Sequence, residues 1–165
     1  MGASSYLALP PSIANRKAVI NPKNIDLQCF KWAILAKHVP HENRTRVGAN
    51  YLCEEHRYDF STLSVPTPVS EIPLFERVNP GTSINVYGMK KCKNNKNKKS
   101  TTESAAYPLR VVDDELPDHF GLLLITGSRI NKGSIAPAPY IIINTRISLA
   151  HLNFAPTYYQ SSFFI

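Results

Sequence analysis

Proline is the residue that most limits what this chain can form. Thirteen prolines are spread through 165 residues, against only seven glycines. Because proline lacks a backbone N–H and ends helices and central strands, each one restricts how far an element can run. The sequence therefore predicts short elements joined by many turns. A chain of this length fits one ordinary domain, and a hydrophobic content of 43% is enough to give that domain a core.

The clearest helical pattern is NIDLQCFKWAILAKH, which begins at Asn24. Apolar residues recur in it at helical offsets, and Asn24 or Asp26 can accept the first free backbone N–H groups. The pattern predicts an amphipathic helix of about three turns. We expect this helix to end near His38, because Pro40 follows.

The second half of the chain is strand-like. After a short second helix predicted over 70–78 come four apolar runs bounded by turn residues: SINVYGM, YPLRVV, HFGLLLIT and PYIIIN. Consecutive strands favour a meander, so we predict an α+β fold in which one N-terminal amphipathic helix and the short second helix pack on a mainly antiparallel sheet of about four strands. The predicted domain covers residues 24–150, with an extended lead-in over 1–23 and a loosely attached tail over 151–165.

Positive charge is concentrated in one segment. The formal net charge is +7, and six lysines lie within ten residues: Lys90, Lys91, Lys93, Lys96, Lys98 and Lys99. Asparagines interleave with them without any apolar period, so residues 90–105 are predicted to form a disordered, solvated loop. Two interpretations stay open: a plain loop insertion, or a patch that directs the protein to the nucleus or contacts nucleic-acid phosphates without reading the base sequence.

Targeting and metal-binding signals are weak. No apolar run of about 18 residues and no secretory pattern is visible, so we predict an intracellular protein, nuclear or cytoplasmic, without a membrane partner. Cys53-x-x-His56 and His38-x-x-His41 have ligand-like spacing for zinc. The polar chain between the two pairs lacks the core of a zinc finger, which favours surface histidines. We predict no metal and no cofactor.

One set of residues has the chemistry of a nucleophilic site. Cys29 falls in the first turn of the predicted helix, where free N–H groups stabilise a thiolate. His119 opens the run HFGLLLIT and is the candidate base. Asn144 or Asp118 would orient its ring, and Gln28 would donate to an oxyanion. The alternative is structural: a core cysteine and a hydrogen-bonded histidine at a strand end.

The stretch KAVINPKNIDLQCFKWA, residues 17–33, carries a family resemblance. It resembles a segment found in proteins of Maverick (Polinton) DNA transposons, virus-like elements that encode their own type-B DNA polymerase. Further matching stretches follow in order over roughly residues 9–126: Val69-Ser70-Glu71-Ile72, Phe75-Glu76, Ser83-Ile84-Asn85-Val86-Tyr87-Gly88, Tyr107-Pro108-Leu109 and Leu122-Leu123-Leu124-Ile125. The resemblance implies a mobile-element protein associated with the DNA polymerase.

The same resemblance bears on catalysis. The pattern Asn-x-Asp-x-x-Cys-Phe-x-Trp is similar to the nucleophile helix of papain-like and ovarian-tumour-type cysteine peptidases, which implies Cys29 as the nucleophile. The family is expected to place a His-Tyr pair where this chain has Pro139-Tyr140. The resemblance therefore implies either a degenerate, non-catalytic domain with weak nucleic-acid contact through the basic loop, or a cysteine peptidase or isopeptidase in which His119 replaces the missing base.

Overall fold

The computed structural model describes residues 8–9, 11–15, 19–93, 102–125 and 141–145. Most elements are short, as expected for a chain with so many prolines. The helices are α1 (Pro11–Ala14), α2 (Cys29–Leu35), α3 (Ala49–Leu52) and α4 (Ile72–Val78). The strands are β1 (Val19–Ile20), β2 (Thr82–Lys93), β3 (Thr102–Arg110), β4 (Asp118–Ile125) and β5 (Ile141–Thr145).

The described strands form one mixed sheet in the order β1-β5-β4-β2-β3. β2 pairs antiparallel with β3 but parallel with β4. The α+β class is confirmed, whereas the mainly antiparallel meander of about four strands is not. The reason lies in the 111–117 connection, which passes across β2. Side chains of Ser83 and Asn85 on β2 accept the backbone N–H groups of Leu116 and Val112 and hold the connection there.

Both faces of the sheet carry apolar residues. Successive side chains of a strand point to opposite faces, so β2 and β4 contribute to two separate cores. The larger core lies between the sheet and helices α2 and α4, and it contains Phe30, Ile34, Phe75, Ile84, Val86, Phe120 and Leu122. The smaller core lies on the other face, where Ile13 of α1 packs with Tyr87, Leu123 and Ile125. Strand β4 is therefore covered on both faces, as its unbroken apolar run indicates.

Helix α2 differs from its prediction in length and in character. It begins at Cys29, five residues after Asn24, because the Asp26 carboxylate accepts the N–H of Gln28 and turns the chain just before the helix. Its amphipathic character is not confirmed, since six of its seven residues are buried. One side of α2 meets the sheet, and Trp32 on the other side packs against Tyr51 of α3. Segment 41–60 thus covers the side of α2 that an amphipathic helix would expose to solvent.

The structure describes part of the predicted lead-in and none of the predicted tail. Helix α1 forms a single turn within the segment expected to be extended, and β1 pairs with β5 at the edge of the sheet. The predicted tail over 151–165 lies outside the described residues. Within the described part of the chain, no helix has the length and apolar character needed to cross a bilayer.

Candidate functional site

Strands β2 and β3 extend past the rest of the described sheet as a two-stranded ribbon. Pairing of β2 with β4 ends at Gly88 and Leu124, whereas pairing of β2 with β3 continues to Lys93 and Thr102. We call residues 89–93 and 102–106 the β arm. At about 3.4 Å per residue, its five paired positions span roughly 17 Å.

The β arm corrects the prediction of a disordered loop over 90–105 at its two ends, residues 90–93 and 102–105, whereas residues 94–101 lie outside the described residues. Lys90, Lys91 and Lys93 lie in β2, paired with residues 102–105 of β3. Lys96, Lys98 and Lys99 lie between the strands, outside the described residues. A composition rich in lysine and asparagine indicates that the side chains are hydrated, but it does not determine whether the backbone forms a strand or a loop. Pairing with the returning strand satisfies the N–H and C=O groups that a loop would leave to water.

The β arm and its connecting segment hold most of the net charge. Six lysines and Glu103 give residues 89–106 a net charge of +5, out of +7 for the whole chain. A two-stranded ribbon fits the major groove of duplex DNA. Lysines brought close to phosphates displace condensed counterions, which favours binding. The β arm is therefore a candidate nucleic-acid interface.

The structure does not bring Cys29 and His119 together. Phe120 belongs to the core that α2 covers, so the neighbouring His119 faces the other side of the sheet. There its Nδ1 lies 2.8 Å from Ser83 Oγ, and its Nε2 lies 3.3 Å from Asn85 Nδ2. The predicted dyad is corrected accordingly, because the sheet separates its two members.

His119 instead belongs to the contacts that hold the 111–117 connection. Its partners on β2 are the same two side chains, Ser83 and Asn85, that accept backbone N–H groups from this connection. Burial lowers the pKa of His119 below its ordinary value of 6.5. A neutral, hydrogen-bonded imidazole at pH 7 is what the structural alternative predicts for this residue.

Asp26 organises the approach to α2. Its carboxylate accepts hydrogen bonds from Asn24 Nδ2 at 2.9 Å, from the Gln28 N–H at 3.0 Å and from Trp32 Nε1 at 2.9 Å. Burial alone would raise the pKa of Asp26, but these hydrogen bonds outweigh it and hold the pKa below its usual range. Gln28 Nε2 also lies 3.4 Å from this carboxylate, so the predicted oxyanion donor is directed at Asp26. The spacing of Asn24, Asp26 and Trp32 thus has a structural explanation.

The two residues proposed to orient a catalytic histidine have other positions. Asn144 lies in β5, where its backbone pairs with Leu122. The Asp118 carboxylate forms an ion pair with Lys37 and accepts a hydrogen bond from the Tyr58 hydroxyl. Burial would raise the pKa of Asp118, but these two hydrogen bonds lower it below its ordinary value. Asp118 therefore serves a network that does not include the His119 ring, although Lys37 Nζ also lies 3.5 Å from the His119 carbonyl oxygen.

This network continues to His38, for which the sequence predicts only the end of the helix and a zinc-like spacing. The Tyr58 hydroxyl oxygen lies 2.7 Å from Nε2 of His38. Because Lys37 and Asp118 are 81 positions apart, no local spacing could reveal that they meet. The one available signal was positional: Lys37 and His38 follow α2, and Asp118 begins β4.

The zinc-like spacing pairs do not converge. His56 Nδ1 lies 2.8 Å from the carbonyl oxygen of Cys53, and His38 bonds to Tyr58. Within the described ranges, no group of three or more His, Cys, Asp or Glu side chains is placed to hold a metal ion.

Cys29 is expected to resist alkylation in the native protein. Its exposed fraction is 7%, whereas Cys53 is exposed and provides an internal control. We expect iodoacetamide at pH 8 to modify Cys53 first and Cys29 only after unfolding in urea, as followed by peptide mass spectrometry. Rapid modification of Cys29 at pH 6 would instead reveal an activated thiolate, because an ordinary thiol has a pKa near 8.5. That result would revive the peptidase interpretation.

The β arm and the Asp118 network are far apart. Asp118 pairs with Thr82, the first residue of β2, whereas Lys93 is the last. At about 3.3 Å per residue, the two ends of this strand are roughly 36 Å apart, so the two features can be tested independently.

Compared with protein-family models, with curated proteins and with solved structures, the chain matches none.

Proposed function

We propose that this chain is a non-catalytic domain of a Maverick-type mobile element that binds nucleic acid through the β arm. The observation that carries the proposal is the continuation of β2–β3 pairing through the lysine-rich segment to Lys93 and Thr102. A paired ribbon fixes the backbone positions of Lys90, Lys91 and Lys93 along the strand, which a coil would not do. The resemblance to Maverick proteins supports the assignment to a mobile element, and it makes the element's DNA polymerase the expected protein partner.

The residue types favour phosphate contact over base recognition. Residues 89–106 contain six lysines and no aromatic residue. Proteins that hold single strands stack bases on aromatic rings. Readout of base edges uses Arg, Lys, Asn or Gln held in a fixed geometry, and in this segment the three asparagines are outnumbered by lysines. Lysines act as point charges on flexible stems. Binding without sequence preference is the expected consequence.

Salt dependence tests this proposal. If six lysines neutralise six phosphates, the logarithm of the binding constant for duplex DNA should fall against the logarithm of salt concentration with a slope of up to about −5. Filter binding between 50 and 200 mM salt would then show about a thousandfold loss of affinity. The arm variant Lys90→Gln/Lys91→Gln/Lys93→Gln should make the slope shallower by about 3.

A matched control removes three positive charges elsewhere. Lys23, Arg46 and Arg77 are exposed and lie outside the β arm. The triple variant Lys23→Gln/Arg46→Gln/Arg77→Gln has the same net charge as the arm variant. Comparing the two variants therefore separates the effect of where the charges lie from the effect of net charge. We expect it to keep the native slope. Binding that is indifferent to salt, or an equal loss in both variants, would contradict a role for the β arm.

A further inference from the structure

A cleft of about 750 Å³ opens beside the Asp118 network, at the end of β2 away from the β arm. Its walls come from the end of α2, the turn at 55–57, the turn before β2 and the start of β4. Polar side chains on these walls include His38, His56, Arg57, Tyr58, Asn79 and Asp118. No role proposed above uses this cleft.

The hydrogen bonds of Tyr58 determine which ring nitrogen of His38 carries the proton and which one can accept a hydrogen bond. Burial and the neighbouring Asp118 raise the pKa of Tyr58, so its hydroxyl stays protonated, and this single proton is donated to Asp118. The Tyr58 oxygen must therefore accept the proton on His38 Nε2. Burial and the charge of Arg57 lower the pKa of His38, which keeps its ring neutral at pH 7. The Nδ1 atom is left as an acceptor.

Arg57 supplies the positive charge of the cleft. Its Nε donates to Glu54, and it makes no hydrogen bond through its two Nη groups to any described residue. The ion pair with Glu54 holds the guanidinium by one edge. The Nη groups then remain available to a ligand with two acceptor oxygens.

We propose that this cleft binds a phosphate group that still carries one proton. Arg57 would donate to two of its oxygens, and Nδ1 of His38 would accept the remaining P–OH. A guanidinium matches the spacing of two phosphate oxygens, and a neutral imidazole nitrogen needs a donor. A carboxylate at pH 7 offers acceptors alone and would leave Nδ1 of His38 unpaired. Inorganic phosphate and a phosphate monoester both carry this chemistry.

Histidine NMR of the full chain tests the proposal. At pH 6.5 and constant ionic strength, inorganic phosphate should shift the ring nitrogens of His38 in a saturable way and leave those of His119 unchanged. Acetate should shift neither. Methyl phosphate, titrated in parallel, shows whether the site accepts an ester or only the free ion. The spectrum without ligand should show His38 protonated at Nε2.

Two variants and a control separate binding from folding. Arg57→Gln should weaken phosphate binding at least tenfold, whereas Arg77→Gln, an exposed arginine outside the cleft, should not. Tyr58→Phe keeps the ring that packs near Phe75 and Phe120 but frees His38, so it should also weaken binding. Equal shifts with acetate, or unchanged affinity in Arg57→Gln, would overturn the proposal. The arm variant should titrate like the native chain, so failure of either proposal leaves the other testable.

Discussion

Replacing Phe75 with alanine is expected to lower the free energy of unfolding by about 3–5 kcal/mol. Phe75 is fully buried, and its ring centroid lies 5.2 Å from that of Phe30 and 5.3 Å from that of Phe60. These contacts join α4 to α2 and to the segment before α4. Truncation to alanine loses the free energy gained by burying the ring. It also leaves a cavity that three separate elements would have to move to fill.

Urea denaturation followed by the fluorescence of Trp32, the one tryptophan in the chain, measures this loss. Ile25 provides the control, because 86% of its surface is exposed. We expect Ile25→Ala to change the free energy of unfolding by no more than about 0.5 kcal/mol. A cost below about 1 kcal/mol for Phe75→Ala would mean that α4 does not pack on α2 as described.

The second large effect is expected at Glu76, where Glu76→Ala should cost about 2–4 kcal/mol. Its Oε1 accepts the N–H of Ile84 at 2.8 Å and Nη1 of Arg110 at 3.0 Å, while Oε2 lies 2.5 Å from Nη2 of Arg110. Arg110 also donates to the carbonyl oxygen of Ile84. One carboxylate thus connects α4, β2 and β3, and its loss leaves half-buried donors without an acceptor.

A double-mutant cycle with Arg110→Ala isolates this interaction. We expect a coupling free energy of about 0.5–3 kcal/mol between Glu76 and Arg110, since the two side chains share both hydrogen bonds and charge. Glu54→Gln, which breaks the exposed ion pair with Arg57, should leave the urea midpoint unchanged. Simple additivity of Glu76→Ala and Arg110→Ala would show that the ion pair does not hold the three elements together.

Local sequence patterns located several elements because those elements depend on nearby residues. The runs HFGLLLIT and PYIIIN contain β4 and β5, and NIDLQCFKWAILAKH contains α2. Apolar spacing and proline act over a few positions, so they can be read without the fold. The same patterns were poor guides to length: α2 is about half as long as expected, because Asp26 bonds to Trp32 and Gln28 instead of capping a longer helix.

The candidate site shows where local patterns stop being informative. Asp118 and His119 are adjacent, and sequence reasoning placed His119 beside Cys29. In a strand, neighbouring side chains leave opposite faces, so one residue decides whether a group meets α2 or the far side. Here Asp118 lies on the α2 side, where it reaches Lys37, and His119 lies on the other, where it reaches Ser83.

The sequence by itself determined the α+β class, the short elements and the concentration of positive charge between residues 89 and 106. These follow from composition and from neighbours along the chain. Only the tertiary structure decided that β4 joins β2 in parallel, that the lysines enter a paired ribbon, and that His38, Tyr58 and Asp118 share one network. Each of these depends on hydrogen bonds between distant parts of the chain, whose partners are selected when the backbone packs and not by local pattern.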